Sequence, residues 1–174
     1  MSTGTGRGMD EIVLAKVDLS GCPTGDILDA RESDQGINRT YFSGWQNLLT
    51  AHPYWNMPSE YRVVLEDGKE VLEHAGRERC LITGDLLWGD YAVEAMVRQM
   101  NHKSVPNYDD EYCTVARTGV VLRQQDVRRY YIFCIEGFSK AVLYRREDDV
   151  YYPLGVYTGV FCSHRYYTLR AEVE

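Results

Sequence analysis

Four sets of residues in this chain have types that could do chemistry. Carboxylates come in two consecutive runs, Asp109-Asp110-Glu111 and Glu147-Asp148-Asp149. Glycoside hydrolysis needs two carboxyl groups facing one bond, one as acid and one as base or nucleophile. Consecutive strand residues point to opposite faces, so neither run can set all three of its carboxylates on one strand face. Both runs read as solvated turns. Oxygen ligands in a loop suit calcium, so Asn107, Asp109 and Asp110 form a candidate calcium loop, although a complete ligand spacing is missing.

The histidines, His52, His74, His102 and His164, are scattered and none pairs with another at metal-ligand spacing. The five cysteines, Cys22, Cys80, Cys113, Cys134 and Cys162, are odd in number and contain no C-x-x-C pair. Cys134 and Cys162 sit within apolar runs, and a buried free cysteine acting as a small hydrophobe is the expectation there. Disulfides are disfavoured without a secretory leader. His164 lies two residues from Cys162, a weak arrangement for a nucleophile and base. The chain has no glycine-rich phosphate loop and no Gly-x-Ser-x-Gly elbow.

The fourth set is aromatic and polar. Arg123, Tyr130, Glu136, Tyr144 and Arg170 fall on neighbouring predicted strands, with Trp88 at the rim. Sugars offer C–H faces that stack on aromatic rings and hydroxyls that pair with Arg and Glu, so these six residues form a candidate carbohydrate face. The competing reading is structural: Tyr and Arg as cross-strand pairs holding a half-exposed sheet together.

The elements that must position these residues are strands. Tyr61–Leu65 and Lys69–His74 flank Glu66-Asp67-Gly68, a hairpin signal. Asp90–Met100 alternates, with Tyr91, Val93, Ala95 and Val97 on one side. Cys113–Arg123, Arg129–Glu136 and Phe138–Arg146 follow in close order. Gly119 inside the first of them marks a bulge or a close backbone approach. Val150–Leu154 begins another strand after the Glu147–Asp149 turn. Tyr166–Glu174 alternates to its last residue, with Tyr167, Leu169, Ala171 and Val173 inward. Before Tyr61 the pattern is weaker: Glu11–Asp18 reads as a first strand, Ser20–Arg39 as loop, and Tyr41–Met57 as an irregular segment. No long helix is predicted. Short strands separated by frequent turns mean an all-β sandwich or barrel.

The 174 residues carry a net charge of −7, with 44% hydrophobic and 26% charged residues. That length fits one domain with a core large enough to fold unaided. The acidic balance argues against nucleic acid and against an anionic membrane surface. No apolar run is long enough to span a bilayer as a helix. Residues 1–9, rich in Gly, Ser and Thr, read as a flexible tail, and residues 10–174 as a single β-sandwich domain. No signal peptide is visible at the N-terminus, which points to the cytoplasm, or to the outside of the cell if a leader was removed. Fourteen tyrosines favour strands and surfaces with an apolar face and a polar tip.

Several strand phrases resemble a known pattern. They are Trp88-Gly89-Asp90-Tyr91-Ala92-Val93-Glu94-Ala95, Gly119-Val120-Val121-Leu122-Arg123, Tyr130-Tyr131-Ile132-Phe133, Val142-Leu143-Tyr144-Arg145-Arg146, and Tyr166-Tyr167-Thr168-Leu169-Arg170-Ala171-Glu172-Val173. Together, over about residues 80–174, they resemble the concanavalin A-like lectin/glucanase superfamily. The nearest likeness is to laminin-G-like and keto-disaccharide-hydrolase-like domains appended to bacterial carbohydrate-active proteins. The resemblance implies a jelly-roll sandwich of two antiparallel sheets whose concave face takes carbohydrate. The family pattern continues beyond the last of these phrases, so the sandwich is expected to be incomplete at its C-terminus, as the N-terminal part of a longer chain or completed by another subunit. The glucanase branch carries Glu-x-Asp-x-x-Glu on one strand, and that spacing is absent here: Glu94 has no second carboxylate two residues on.

The expected function is therefore a carbohydrate-recognition or accessory domain, with no catalytic residue assigned and no cofactor beyond a possible structural calcium. Two alternatives stay open. One is a glycoside hydrolase or lyase with a different catalytic set, in which Tyr130 or Tyr144 beside Arg123 acts as base. The other is an assembly domain completed by another segment or subunit.

Overall fold

A computed structural model describes residues 18–22, 24–26, 46–49, 60–75, 79–84, 87–100, 117–126 and 128–174. The 1–9 tail, most of the Glu11–Asp18 strand and the candidate calcium loop lie outside the described residues. The described residues form eleven strands: β1 (Gly25–Asp26), β2 (Gln46–Leu49), β3 (Glu60–Glu66), β4 (Lys69–Ala75), β5 (Arg79–Ile82), β6 (Tyr91–Val97), β7 (Arg117–Asp126), β8 (Arg129–Glu136), β9 (Lys140–Glu147), β10 (Val150–Thr158) and β11 (Tyr167–Val173). Among the described residues there is no helix, and every strand pairing is antiparallel. The described part of the protein is all-β, consistent with a β-sandwich.

By its internal contacts the chain divides into two compact units, Met1–Gly84 and Asp85–Glu174. In the first, β1, β3 and β4 form one sheet, and β2 pairs with β5. The predicted hairpin is present: Glu66 pairs with Lys69, and Asp67 and Gly68 take φ of 49° and 77°. Positive φ at both central residues is what a type I′ turn demands, and Asp and Gly tolerate it. Val63 and Tyr61 are buried on β3, and the Tyr61 ring packs on His74 at 4.5 Å. The segment read as irregular, Tyr41–Met57, contains strand β2. Its order comes from pairing with β5, a non-local cause that leaves no period in the local sequence.

The second unit contains a four-stranded sheet in the order β10-β9-β8-β7 and the pair β11-β6. Strand β6 has the predicted alternation, with Tyr91, Val93, Ala95 and Val97 more buried than their neighbours. It pairs along its whole length with β11, from Tyr91 with Val173 to Val97 with Tyr167. The β8–β9 turn uses Gly137 at φ 59°, and the β9–β10 turn puts Asp148 and Asp149 at φ 48° and 68°. Asp148 and Asp149 of this last run thus belong to a turn, while Glu147 ends β9.

Both faces of the four-stranded sheet hold buried residues. One carries Val120, Leu122, Ile135 and Ala141, and the other carries Cys134, Val142 and Tyr144. Full burial of a side chain such as Ile135 contributes about 1.5–3 kcal/mol. Gly119 resolves as a close approach: a Cβ there would stand 2.1 Å from the Phe133 carbonyl oxygen. The β7 bulge lies further along, where the register with β8 shifts between Leu122 and Asp126. Strand β10 runs past the predicted Leu154 to Thr158. It passes Pro153 because it is an edge strand and its register shifts between Pro153 and Gly155.

Candidate functional site

Strand register decides which polar residues meet. Tyr130 pairs with Arg146, Ile132 with Tyr144, Cys134 with Val142, and Glu136 with Lys140. Arg117 of β7 stands opposite Glu136, and Tyr151 of β10 opposite Arg146. With a side-chain period of two, these residues share one face of the sheet.

At one end of that face Glu136, 3% exposed, is the hub. Its Oε2 accepts hydrogen bonds from Arg117 Nε and Tyr144 Oη, both at 2.7 Å, and its Oε1 is paired with Lys140 Nζ. Burial by itself would raise the pKa of this carboxyl. The hydrogen bonds from Lys140, Tyr144 and Arg117 outweigh burial and hold it down at about 2.

At the other end Arg146, 4% exposed, donates from Nη1 to Tyr130 Oη and from Nη2 to Asp149 Oδ1, both at 2.7 Å. Tyr130 and Tyr151 hydroxyls lie 3.1 Å apart. A stack joins the two ends. The Arg117 guanidinium lies 4.3 Å from the Tyr151 ring centre and 5.0 Å from that of Tyr144, and Arg146 lies 5.2 Å from Tyr151. Tyr144 meets Tyr151 edge to face at 5.6 Å. Such contacts are worth about 0.5–2 kcal/mol each.

Tyr130, Glu136 and Tyr144 are therefore brought together, but as a buried network whose polar atoms serve one another. Burial, then hydrogen bonding to Tyr151, raises the Tyr130 pKa; burial, then the Glu136 contact, raises that of Tyr144. Both phenols are held protonated, and Tyr144 already donates to Glu136, so neither is set up as a base. Cys134, fully buried on the same face, has its thiol pushed by burial up to about 12, the state of an inert core cysteine.

An open cleft of about 200 Å³ lies where the β7–β8 turn meets the end of β9. Arg123, Arg129, Arg145 and Arg146 line it together with Gln125, Tyr131 and Glu147, and Tyr130 closes its floor. Arg123 sits in the β7 bulge at φ 47°, a left-handed conformation that a long side chain rarely adopts. Its N–H donates to Tyr91 Oη at 2.7 Å, which anchors the bulge to β6. Trp88 meets that same Tyr91 edge to face, with ring centres 6.1 Å apart, and so supports the anchor from outside the cleft.

The cleft cations differ in how they are matched. Arg129 pairs with Asp126, Arg145 with Glu147 and Arg146 with Asp149. Among the described residues the exposed Arg123 guanidinium makes no ion pair. Hydrogen bonding to Arg129 and to the Arg128 backbone lowers the Asp126 pKa, so this carboxylate stays charged and holds Arg129 in place.

Of the six predicted face residues, Arg123 and Tyr130 reach the cleft. Glu136 and Tyr144 bond to each other further along the sheet, and Arg170 lies on β11 beside Glu94 and Glu172. Arg129, Arg145, Arg146, Gln125 and Tyr131 were not anticipated. Arg146 had a readable signal, since it follows Tyr144 by two residues on one strand face; the others depend on the bulge and the turn. Asn107, Asp109 and Asp110 lie outside the described residues, and among those described no three His, Cys, Asp or Glu side chains gather as a metal site. Nor does any helix among them have the length and apolarity to cross a membrane. Compared with known proteins, the chain matches no protein-family model, no curated protein and no solved structure.

Proposed function

We propose that this protein is a carbohydrate-recognition module of jelly-roll type, and that its cleft takes a sugar residue bearing a carboxylate or sulfate group. The observation that carries this reading is Arg123. A strained bulge sets an exposed guanidinium, without an ion pair among the described residues, at a cleft that three further arginines line. Strained backbone at a cleft is a common mark of function. Guanidinium forks pair with planar or tetrahedral oxyanions in two-point fashion, and Arg is preferred over Lys for that task. Tyr131, half-buried on the cleft wall and paired across the strands with Arg145, supplies an apolar face for the sugar ring. The cleft volume lies below the roughly 300 Å³ of typical small-molecule sites, which suits the tip of a glycan chain. The resemblance of the strand phrases to the lectin/glucanase superfamily supports the same reading.

The experiment is calorimetric titration with matched neutral and acidic oligosaccharides. Acidic sugars are expected to bind in the micromolar-to-millimolar range, to weaken with added salt, and to lose at least tenfold in affinity with Arg123→Ala. Silence across both sets would sink the proposal. Binding that Arg123→Ala leaves unchanged would move the site elsewhere.

A further inference from the structure

We propose that β10 is a self-association edge, at which two copies of this chain pair their β10 strands antiparallel about a two-fold axis passing through Thr158. The sheet order places β10 at the end, with β9 on one side and no strand on the other among the described residues. Gly159 N–H donates to the Ser139 carbonyl and Phe161 N–H to the Phe138 carbonyl, so these odd-numbered residues face inward. In an antiparallel ladder the groups alternate, which turns the N–H and C=O of Val156 and Thr158 outward; Val160, two residues past the end of β10, stands between the inward N–H groups of Gly159 and Phe161 and carries the alternation on.

The side chains along this edge are apolar and open to solvent: Val156 is 59% exposed, Tyr157 67% and Val160 82%. Natural edges are protected by lysines, prolines or bulges. Here Pro153 and the register shift beside it interrupt the first half of β10 and leave Val156–Val160 without such a device. No charged residue occurs from Val150 to Ser163, in a chain that is 26% charged.

Two features select a second copy as the occupant. First, the chain carries −7, so copies repel one another over most of their surface, and an uncharged strand edge is where they can meet without like charges opposed. Second, the outward residues are self-complementary. An axis at Thr158 sets Thr158 opposite its own equivalent and Val156 opposite Val160 of the second copy, each pair exchanging both backbone hydrogen bonds. Threonine–threonine and paired β-branched residues are favourable cross-strand partners. Tyr157 already lies over Gly159 of its own chain, its Cε1 2.7 Å from where a Cβ would stand. The same register brings the two copies' Tyr157 rings to the diagonal spacing of roughly 7–8 Å that aromatic side chains can bridge. A closed two-fold dimer is the commonest result of such a self-matching edge.

The test is sedimentation equilibrium of the full chain across a wide concentration range. The expected result is a monomer–dimer equilibrium that Val156→Lys and Thr158→Pro each weaken at least tenfold, while Val150→Lys, on the same strand outside the paired segment, leaves it unchanged. Thermal melts confirm that each variant folds. Thr158→Cys, oxidised, should give a disulfide-linked dimer that wild type and Val150→Cys do not give. A wild-type chain that stays monomeric at every concentration overturns the proposal. So does a dimer indifferent to both Val156→Lys and Thr158→Pro.

Discussion

The Tyr144 hydroxyl donates to Glu136 at 2.7 Å, with both residues almost fully buried. The bond ties the middle of β9 to the end of β8 and completes the shell of donors around a buried carboxylate. Tyr144→Phe deletes only the oxygen and keeps the ring that packs on Tyr151. A hydrogen bond to a charged group contributes about 1.5–3 kcal/mol, and the variant should lose stability in that range by urea unfolding. Its affinity for ligand should stay within twofold, because Tyr144 does not line the cleft.

Acid should unfold the second unit through Glu136. Its folded pKa of about 2 lies below the unfolded value of about 4.3. A depressed carboxylate contributes stability that is fully present above the unfolded pKa and is lost as pH falls through the folded one. The urea midpoint should therefore drop between about pH 4.5 and pH 2. Glu136→Gln should be less stable at pH 7, because Arg117 and Lys140 lose their counter-charge, and its midpoint should change less across that acid window. An equally steep acid transition in Glu136→Gln would show that another carboxylate governs it.

Gly119→Ala should be among the most damaging single-methyl changes in the chain. The new Cβ would meet backbone, 2.1 Å from Phe133 O and 2.6 Å from Cys134 Cα, and backbone cannot swing aside as a side chain can. The β7–β8 pairing must open to admit it. A cost above the usual 1–3 kcal/mol of overpacking is expected, read as a fall in the thermal midpoint or as failure to fold. Gly155→Ala, with open space around its Cβ position, is the matched control.

Arg123→Gly separates folding from binding. Arg123 holds a left-handed φ of 47°, which costs a residue with a Cβ about 1–2 kcal/mol and costs glycine nothing. The variant should match or exceed wild type in stability while losing acidic-sugar affinity. Unfolding and calorimetric titration on the same sample measure both. A destabilised variant would mean that the guanidinium, not the backbone, secures the bulge.

The local pattern of residues determined most of the strands from β3 onward and much of their orientation, whereas β1, β2 and β5 were not legible in it. Period-two alternation over Tyr91–Val97 and Tyr167–Val173 is visible because a half-buried strand must alternate, whatever it pairs with. Asp67-Gly68 announced its hairpin because few residue pairs accept two positive φ values in succession. Tyr130, Glu136, Tyr144 and Arg123 stood out by type, and the first three do share a sheet face. What each of them does was settled only by register and by one bulge. A shift of one residue in β8 against β9 would send Glu136 to the opposite face and leave Arg117 and Lys140 without it. Register thus made three candidate ligand groups into a satisfied internal network, and the break between Leu122 and Asp126 turned Arg123 toward Arg129 and Arg145. Alternation is a property of a single strand, whereas a partner across the sheet is chosen by the sum of all pairings along it, and that sum exists only once the chain has folded.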